Sequence, residues 1–219
     1  MPTTSTTTSS YFGVRRLGSP EPVEGPALCL SRTANVATVQ NKPFTLKTGE
    51  RGIIRSATEA DAAALLVYAR ENLREGKGSV TTLEEFTLSI EDERKFLTEH
   101  AEKPGWLALL AEVNGKVVGF TGFRNNPRKR LAHNGMLGIS VAREFRGRGV
   151  GEALLSALLE WARANPLIDK VSLAVFADNA PAIGLYRKLG FKEEGRRVRE
   201  IKFGEGQYKD DLLMAVWVK

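Results

Sequence analysis

Cysteine is nearly absent from this sequence, with Cys29 the only one among 219 residues. A single cysteine cannot form an internal disulfide, which fits a reducing compartment. Long apolar runs are missing too, since none approaches the roughly 20 residues that span a bilayer. The first residues also lack the basic-then-apolar order of a secretory signal. These absences predict a soluble, cytoplasmic protein without a membrane partner.

Hydrophobic periodicity is scarce in residues 1–45, which begin with Ser and Thr and continue through several Gly and Pro. Such a segment buries too little apolar surface to offset the entropy lost on ordering its backbone. We therefore predict a disordered or loosely packed N-terminal extension over residues 1–45. The remaining residues 46–219 have room for one domain with one core.

The formal net charge of +6 raises the question of nucleic-acid binding. The basic residues, however, are spread among acidic ones over most of the chain, which does not favour a nucleic-acid partner. Two denser basic runs, at residues 128–130 and 196–199, are expected on a solvated surface. A third run, at residues 143–148, differs because glycine interrupts it.

The hydrophobic pattern from residue 53 onwards alternates between strand and helix periods. The predicted strands are 53–56, 106–113, 116–123, 136–141, 171–176, 191–203 and 207–218. The predicted helices are one opened by Thr58 with Asp61 three residues later, one over 82–100, one after the glycine-rich turn, and one over 180–189 ended by Gly190. Asn114-Gly115 indicates a hairpin between the second and third strands. The order predicts an α/β fold with a mixed, mostly antiparallel sheet of about seven strands and about four helices.

A glycine-rich turn joins the strand at 136–141 to the next helix. Gly147, Gly149 and Gly151 allow a tight turn and a close approach of ligand to backbone. No Ser, Thr, Asp or Asn stands at the turn to cap the helix, so its first N–H groups lack a partner. Together with the helix dipole and the guanidinium groups of Arg146 and Arg148, these donors predict a diphosphate site.

Two common phosphate motifs do not match this turn. A P-loop needs Gly-Lys followed by Ser or Thr, and a Rossmann turn needs G-x-G-x-x-G; neither is present. The Arg-x-x-Gly-x-Gly pattern of Arg146, Gly149 and Gly151 instead resembles motif A of the GNAT superfamily, the Gcn5-related N-acetyltransferases. Residues 173–191, with Asn179, Tyr186 and the ending Gly190-Phe191, resemble that family's second signature.

The resemblance implies an N-acetyltransferase that moves an acetyl group from acetyl-CoA to a primary amine of a small molecule, an amino-acid-like compound or a protein. It implies that backbone groups of two strand residues bind pantetheine and that six turn residues bind the diphosphate. These cofactor-binding residues are Ile139, Val141, Arg146, Gly147, Arg148, Gly149, Val150 and Gly151. No metal is predicted. Two copies of the chain can be expected to pair as a homodimer.

Two residues of the second signature have alternative interpretations. By resemblance, Asn179 reaches the pantetheine, whereas a helix N-cap followed by Pro181 explains it equally well. By resemblance, Tyr186 is the general acid that protonates the departing thiolate, whereas a core tyrosine on the face of Ile183 and Leu189 is the other interpretation.

No general base can be named from the sequence. His133 and Glu112 are candidates, but a structural or solvated role accounts for each of them. An acyl-CoA-binding regulatory module without turnover is therefore the alternative function.

Overall fold

The computed structural model describes residues 38–219, and the predicted N-terminal extension lies outside this range up to residue 37. The strands are β1 (Lys42–Thr45), β2 (Arg51–Ser56), β3 (Trp106–Val113), β4 (Lys116–Asn125), β5 (Asn134–Val141), β6 (Lys170–Phe176), β7 (Lys192–Gly204) and β8 (Gln207–Trp217). The helices are α1 (Ala62–Arg74), α2 (Ile90–Glu102), α3 (Val150–Ala164) and α4 (Ala180–Lys188). Short 3-10 turns precede α1, β5 and α3.

The eight strands form one sheet in the order β1-β2-β3-β4-β5-β6-β8-β7. Hairpins account for most of the antiparallel pairs. Between β3 and β4, Asn114 and Gly115 have φ angles of 50° and 73°, as a two-residue hairpin turn requires. The predicted α/β class, the mixed sheet and the four helices are confirmed.

Alternation along β3 divides the core between the two faces of the sheet. Leu107, Leu109 and Ala111 pack with the apolar stripe of α3, whereas Ala108 and Leu110 pack with α1 and α2. The α3 stripe predicted from the sequence is buried: Val150, Leu154, Leu155, Leu158, Leu159 and Trp161. Helix α4 joins the α3 side through Ile183 and Tyr186. Side chains that alternate across a strand thus hold one helical layer on each face.

Among the described strands only β5 and β6 run parallel, and their pairing is short. In this pairing Asn134 lies opposite Lys170, Gly135 opposite Val171 and Met136 opposite Ser172. Beyond these three pairs the two strands have no shared register. On its other side β5 remains paired with β4 as far as Val141. The sheet is therefore open between the carboxyl halves of β5 and β6.

The predicted helix over residues 82–100 is wrong at its start. Thr82 and Glu85 form reciprocal hydrogen bonds like those of a capping box, but they close only a single turn. A second capping box follows, in which Ser89 Oγ accepts from Asp92 N and the Asp92 carboxylate accepts from Ser89 N. Helix α2 begins after this second box.

An eighth strand was not predicted. Strand β1 lies inside the segment expected to be loosely packed, yet it pairs with β2 over four residues, and the following Leu46 is buried. The structured part thus begins before residue 46. In residues 38–219 there is no helix both long and apolar enough to cross a membrane.

Candidate acyl-CoA site

The turn before α3 has the open geometry expected of an anion site. Gly147 and Gly149 have φ angles of 73° and 98°, which side-chain-bearing residues rarely adopt. No described atom lies within 4 Å of where a Cβ on either glycine would stand. Gly149 is the N-cap of α3, and no side chain caps the helix. The first N–H groups of α3 therefore point, without a capping partner, into an open turn.

The Arg146 guanidinium already has protein partners. Its Nε donates to the Val141 carbonyl at 2.9 Å, and its two terminal nitrogens donate to the Glu75 carboxylate at 2.8 and 2.9 Å. Arg148 lies 3.7 Å from Glu50 and over the Phe145 ring. The predicted direct contact of Arg146 with a diphosphate would require it to exchange Glu75. In this arrangement Arg146 stabilises the turn through its contacts with Val141 and Glu75. The donors that remain open to a ligand are backbone N–H groups.

The backbone of β5 presents one edge to the gap in the sheet. Ala142 N–H donates to Val118 of β4 at 2.9 Å. Because backbone groups alternate sides along a strand, those of Ile139 and Val141 point away from β4, towards the diverging β6. This is the orientation predicted for pairing with an added extended chain, although the Val141 carbonyl is already bound by Arg146.

A cavity of about 400 Å³ lies between the diverging strands β5 and β6. Its walls are residues 136–139 of β5, 173–176 of β6, Asn179, Tyr186, residues 78–80 after α1, and Arg197, Glu200, Ile201 and Asp211 of the last hairpin. Of the predicted site residues, Ile139, Asn179 and Tyr186 thus meet in one cavity. Val141 and the turn at 146–151 lie outside this lining.

Gly151 connects the turn to the helix that carries Tyr186. A Cβ on it would stand 3.3 Å from Leu185 Cδ2 and 3.7 Å from Val141 Cγ2. The amino end of α3 therefore adjoins both the last residue of β5 and the residue before Tyr186. The open turn therefore lies beside the strand and the helix that border the cavity.

Tyr186, on α4, is buried in the core on the α3 side of the sheet, with only 7% of its surface exposed. Its ring lies 5.8 Å from that of Phe191, as the core interpretation requires. Burial raises its pKa to about 12, so the hydroxyl stays protonated at neutral pH. Within residues 38–219 no hydrogen-bond partner of this hydroxyl is found, although it borders the cavity. A protonated phenol at this position can donate a proton to a ligand.

Asn179 is the N-cap of α4, with its Oδ1 accepting from Ala182 N at 3.3 Å and Pro181 in the first turn. The capping interpretation is thus confirmed. The side chain also borders the cavity, so contact with a ligand stays a prediction.

Neither candidate for the general base borders the cavity. His133 stacks against Trp217 with ring centroids 6.3 Å apart, and Glu112 pairs with Arg55 at 3.0 Å. Sequence reasoning missed Glu200 and Asp211, which do border it. It also assigned Arg197 to a solvated surface, whereas this side chain lies in the cavity wall.

Comparison with known proteins decides the family. A sequence model described as the acetyltransferase (GNAT) family matches residues 71–191. The chain belongs to this family.

A relative named L-amino acid N-acetyltransferase AaaT, from Escherichia coli strain K12, is 36% identical over 115 residues, which is 52% of this chain and 70% of that protein. A GNAT acetyltransferase structure from Streptococcus pneumoniae is 30% identical with a TM-score of 0.73, covering 77% of this chain and 99% of that one. A GNAT phosphinothricin acetyltransferase from Sinorhizobium meliloti, solved with AcCoA, is 25% identical with a TM-score of 0.64, covering 76% and 88%.

Membership in the GNAT family makes the chain an acyl-CoA-dependent N-acyltransferase, as the sequence predicted. The alternative of a regulatory module without turnover is not supported, because the relatives are acetyl-transfer enzymes. Among residues 38–219, no group of three or more His, Cys, Asp or Glu side chains could hold a metal ion.

Proposed function

We propose that this GNAT enzyme moves the acetyl group of acetyl-CoA to the primary amine of a small, amino-acid-like molecule. The observation that carries this proposal is the open amino end of α3 beside the gap between β5 and β6. The name of the E. coli relative supports an amino acid as acceptor, and the acetyl-CoA in the S. meliloti structure supports the donor. The cavity, at about 400 Å³, lies within the volume range of small-molecule sites.

The donor is proposed to bind from the open turn to the cavity. Its diphosphate accepts from the first N–H groups of α3, at Val150 and Gly151, where the helix dipole favours an anion. Its pantetheine arm lies along the free edge of β5 at Ile139, in the manner of an added strand. This route leads the thioester towards Tyr186.

The chemistry is direct attack of a neutral amine on the thioester carbonyl. The new C–N bond forms, the C–S bond breaks, and the electron pair leaves on sulfur. Tyr186 is proposed to protonate that thiolate, since its high pKa keeps the phenol protonated at neutral pH. The amine must first lose a proton, because an amine with a pKa near 10 is mostly charged at pH 7.

Thiol release from acetyl-CoA tests the function. The full chain is mixed with acetyl-CoA and, in turn, with L-amino acids, their amides and short peptides, while a thiol-reactive dye follows free CoA. We expect release with at least one free amino acid and little with the peptides. Release with peptides only would overturn the acceptor class, and release with no amine would overturn the proposed activity.

Several expectations from the sequence stay predictions. These are the homodimer, the cytoplasmic location, and the absence of metal and nucleic acid. Binding to DNA or RNA would appear as strongly salt-dependent association.

A further inference from the structure

Strand β7 contains an irregularity beside the cavity. Arg197 pairs with Asp211 and Ile201 with Lys209, so β7 spans this stretch with two more residues than β8. The bulge includes Arg199, whose φ of 55° is unusual for a residue with a long side chain. Bulges of this kind re-aim side chains next to active sites.

Asp210 of β8 fixes the bulge. One of its carboxylate oxygens accepts from the Arg199 backbone N–H at 2.7 Å, and the other accepts from Arg196 Nε at 2.8 Å. The unusual backbone at Arg199 is thus held by a charged hydrogen bond on the outside of the hairpin. The conformation is a defined feature of this strand.

The bulge changes which side chains face the cavity. Arg197 and Glu200 are three residues apart, so in a regular strand they would lie on opposite faces. Here both border the cavity. The extra residues therefore turn Glu200 towards the space that also contains Tyr186.

Glu200 belongs to a small charged cluster in the cavity wall. Arg197 Nη1 lies 3.6 Å from Glu200 Oε1 and 3.7 Å from Asp211 Oδ2. The cluster brings two carboxylates to the cavity wall beside Arg197, and a carboxylate in this position attracts a cationic amine. In the part of the chain that the structure describes, the other titratable groups that border the cavity are Tyr186, Arg197 and Asp211. Among the described residues the Tyr186 hydroxyl has no hydrogen-bond partner, which is an independent sign that a ligand belongs here.

We infer that Glu200 binds the amino group of the acceptor and takes its proton, with Arg197 and Asp211 orienting its carboxylate. This inference rests on the proposed function and supplies the general base that the sequence did not reveal. The ammonium gives one proton to Glu200, and the nitrogen lone pair forms the C–N bond. Tyr186 protonates the leaving sulfur, the second proton on nitrogen restores Tyr186, and Glu200 releases its proton to solvent.

The test compares Glu200→Gln with Glu205→Gln in the full chain, using the best acceptor from the amine panel. Glu205 is exposed at the β7–β8 turn, so its variant loses the same charge outside the cavity. At pH 7 we expect kcat/KM of E200Q to fall about 100-fold, within the range for general bases, and that of E205Q to stay unchanged. Calorimetry should show unchanged acetyl-CoA binding in both.

The pH profile separates proton transfer from a structural role. For E200Q, kcat/KM should rise about tenfold per pH unit up to the pKa of the acceptor amine, because only neutral amine reacts. The deficit relative to wild type should therefore shrink at high pH, and Glu200→Asp should recover part of the activity at pH 7.

Three results would overturn the inference. One is an E200Q variant as active as E205Q, and another is a deficit that stays constant with pH or comes with weaker acetyl-CoA binding. Both leave the proposed function standing if wild type turns over. Absence of turnover by wild type would instead remove the proposed function, and this inference with it.

Discussion

Helices α2 and α3 begin in opposite ways. At α2, Ser89 and Asp92 satisfy each other's backbone N–H groups, and three acidic residues occupy the first turn. At α3, Gly149 supplies no side chain, and only Glu152 is acidic in the first turn. A helix end without a cap leaves its first N–H groups to water or to a ligand. The difference teaches that α2 completes its own start, whereas α3 keeps its donors available.

Placing a carboxylate at the start of α3 is expected to have the largest effect on the difference between the two helix starts. In Gly149→Asp the new anion would face the bound diphosphate, and like charges about 4 Å apart repel by about 4 kcal/mol at a protein surface. We expect acetyl-CoA affinity to fall at least about 100-fold by calorimetry.

Gly149→Asn is the matched control, because it puts a neutral side chain of the same shape at the same positive φ. It should lose less affinity than G149D. Equal losses in the two variants would attribute the effect to backbone strain and contradict the role of the anion.

A substitution of Tyr186 tests the thioester end of the proposed donor site, whereas the α3 turn is its diphosphate end. Tyr186→Phe keeps the ring packed against Phe191 and removes only the hydroxyl. We expect kcat to fall about 100-fold, as for loss of a general acid, with acetyl-CoA affinity unchanged. In wild type, no loss of activity from Tyr186 ionisation should occur below about pH 12. A fully active Y186F enzyme would leave Tyr186 as a core residue only.

The same contrast explains what could be predicted from the sequence. Apolar periodicity indicated α3 and its buried stripe, and Asn114-Gly115 indicated the hairpin, because both signals are local. The open start of α3 could also be predicted, since a missing cap is visible in the residues themselves. The helix start predicted at Thr82 was wrong because two capping boxes occur in succession. Only packing decides which of the two begins a helix.

Long-range contacts could not be predicted. Nothing near Arg146 in the sequence indicates that Glu75, at the end of α1, occupies its guanidinium. The bulge in β7 depends on Asp210 in the neighbouring strand, so the basic run at 196–199 gave no sign that Arg197 and Glu200 reach the cavity. Side chains brought together by register and bulges require the fold itself.

A histidine at the carboxyl end of α2 makes the stability of the fold depend on pH. His100 is buried, its Nδ1 donating to the Phe96 carbonyl and its Nε2 accepting from Arg124. Burial, with Arg124 nearby, lowers its pKa to about 3. The unfolded chain therefore binds a proton below about pH 6.5 that the folded chain does not.

The contribution of neutral His100 to the free energy of unfolding should be fully present above pH 6.5. It should decrease as the pH falls below this value, by up to about 1.4 kcal/mol per pH unit. Urea unfolding at pH 5.0 to 7.5 measures the slope. His100→Gln should unfold with a shallower dependence over this window, and an identical slope would contradict the assignment.

Removing the α2 cap is expected to have the smallest effect. Ser89→Ala loses the hydrogen bond to Asp92 N and should lower the free energy of unfolding by about 1 kcal/mol. Because α2 lies on the face of the sheet opposite α3, acetyl-CoA affinity should not change. Weaker binding in S89A would show that the two helix starts are not independent.

The most direct test of the open helix start is calorimetry with three donors: acetyl-CoA, acetyl-dephospho-CoA and S-acetyl-pantetheine. Only the third lacks the diphosphate, and the adenosine attached to it is absent too. Loss of two charge-assisted hydrogen bonds alone predicts that S-acetyl-pantetheine binds at least about 100-fold more weakly than the other two. Equal affinity for all three donors would contradict the claim that the uncapped end of α3 holds the diphosphate.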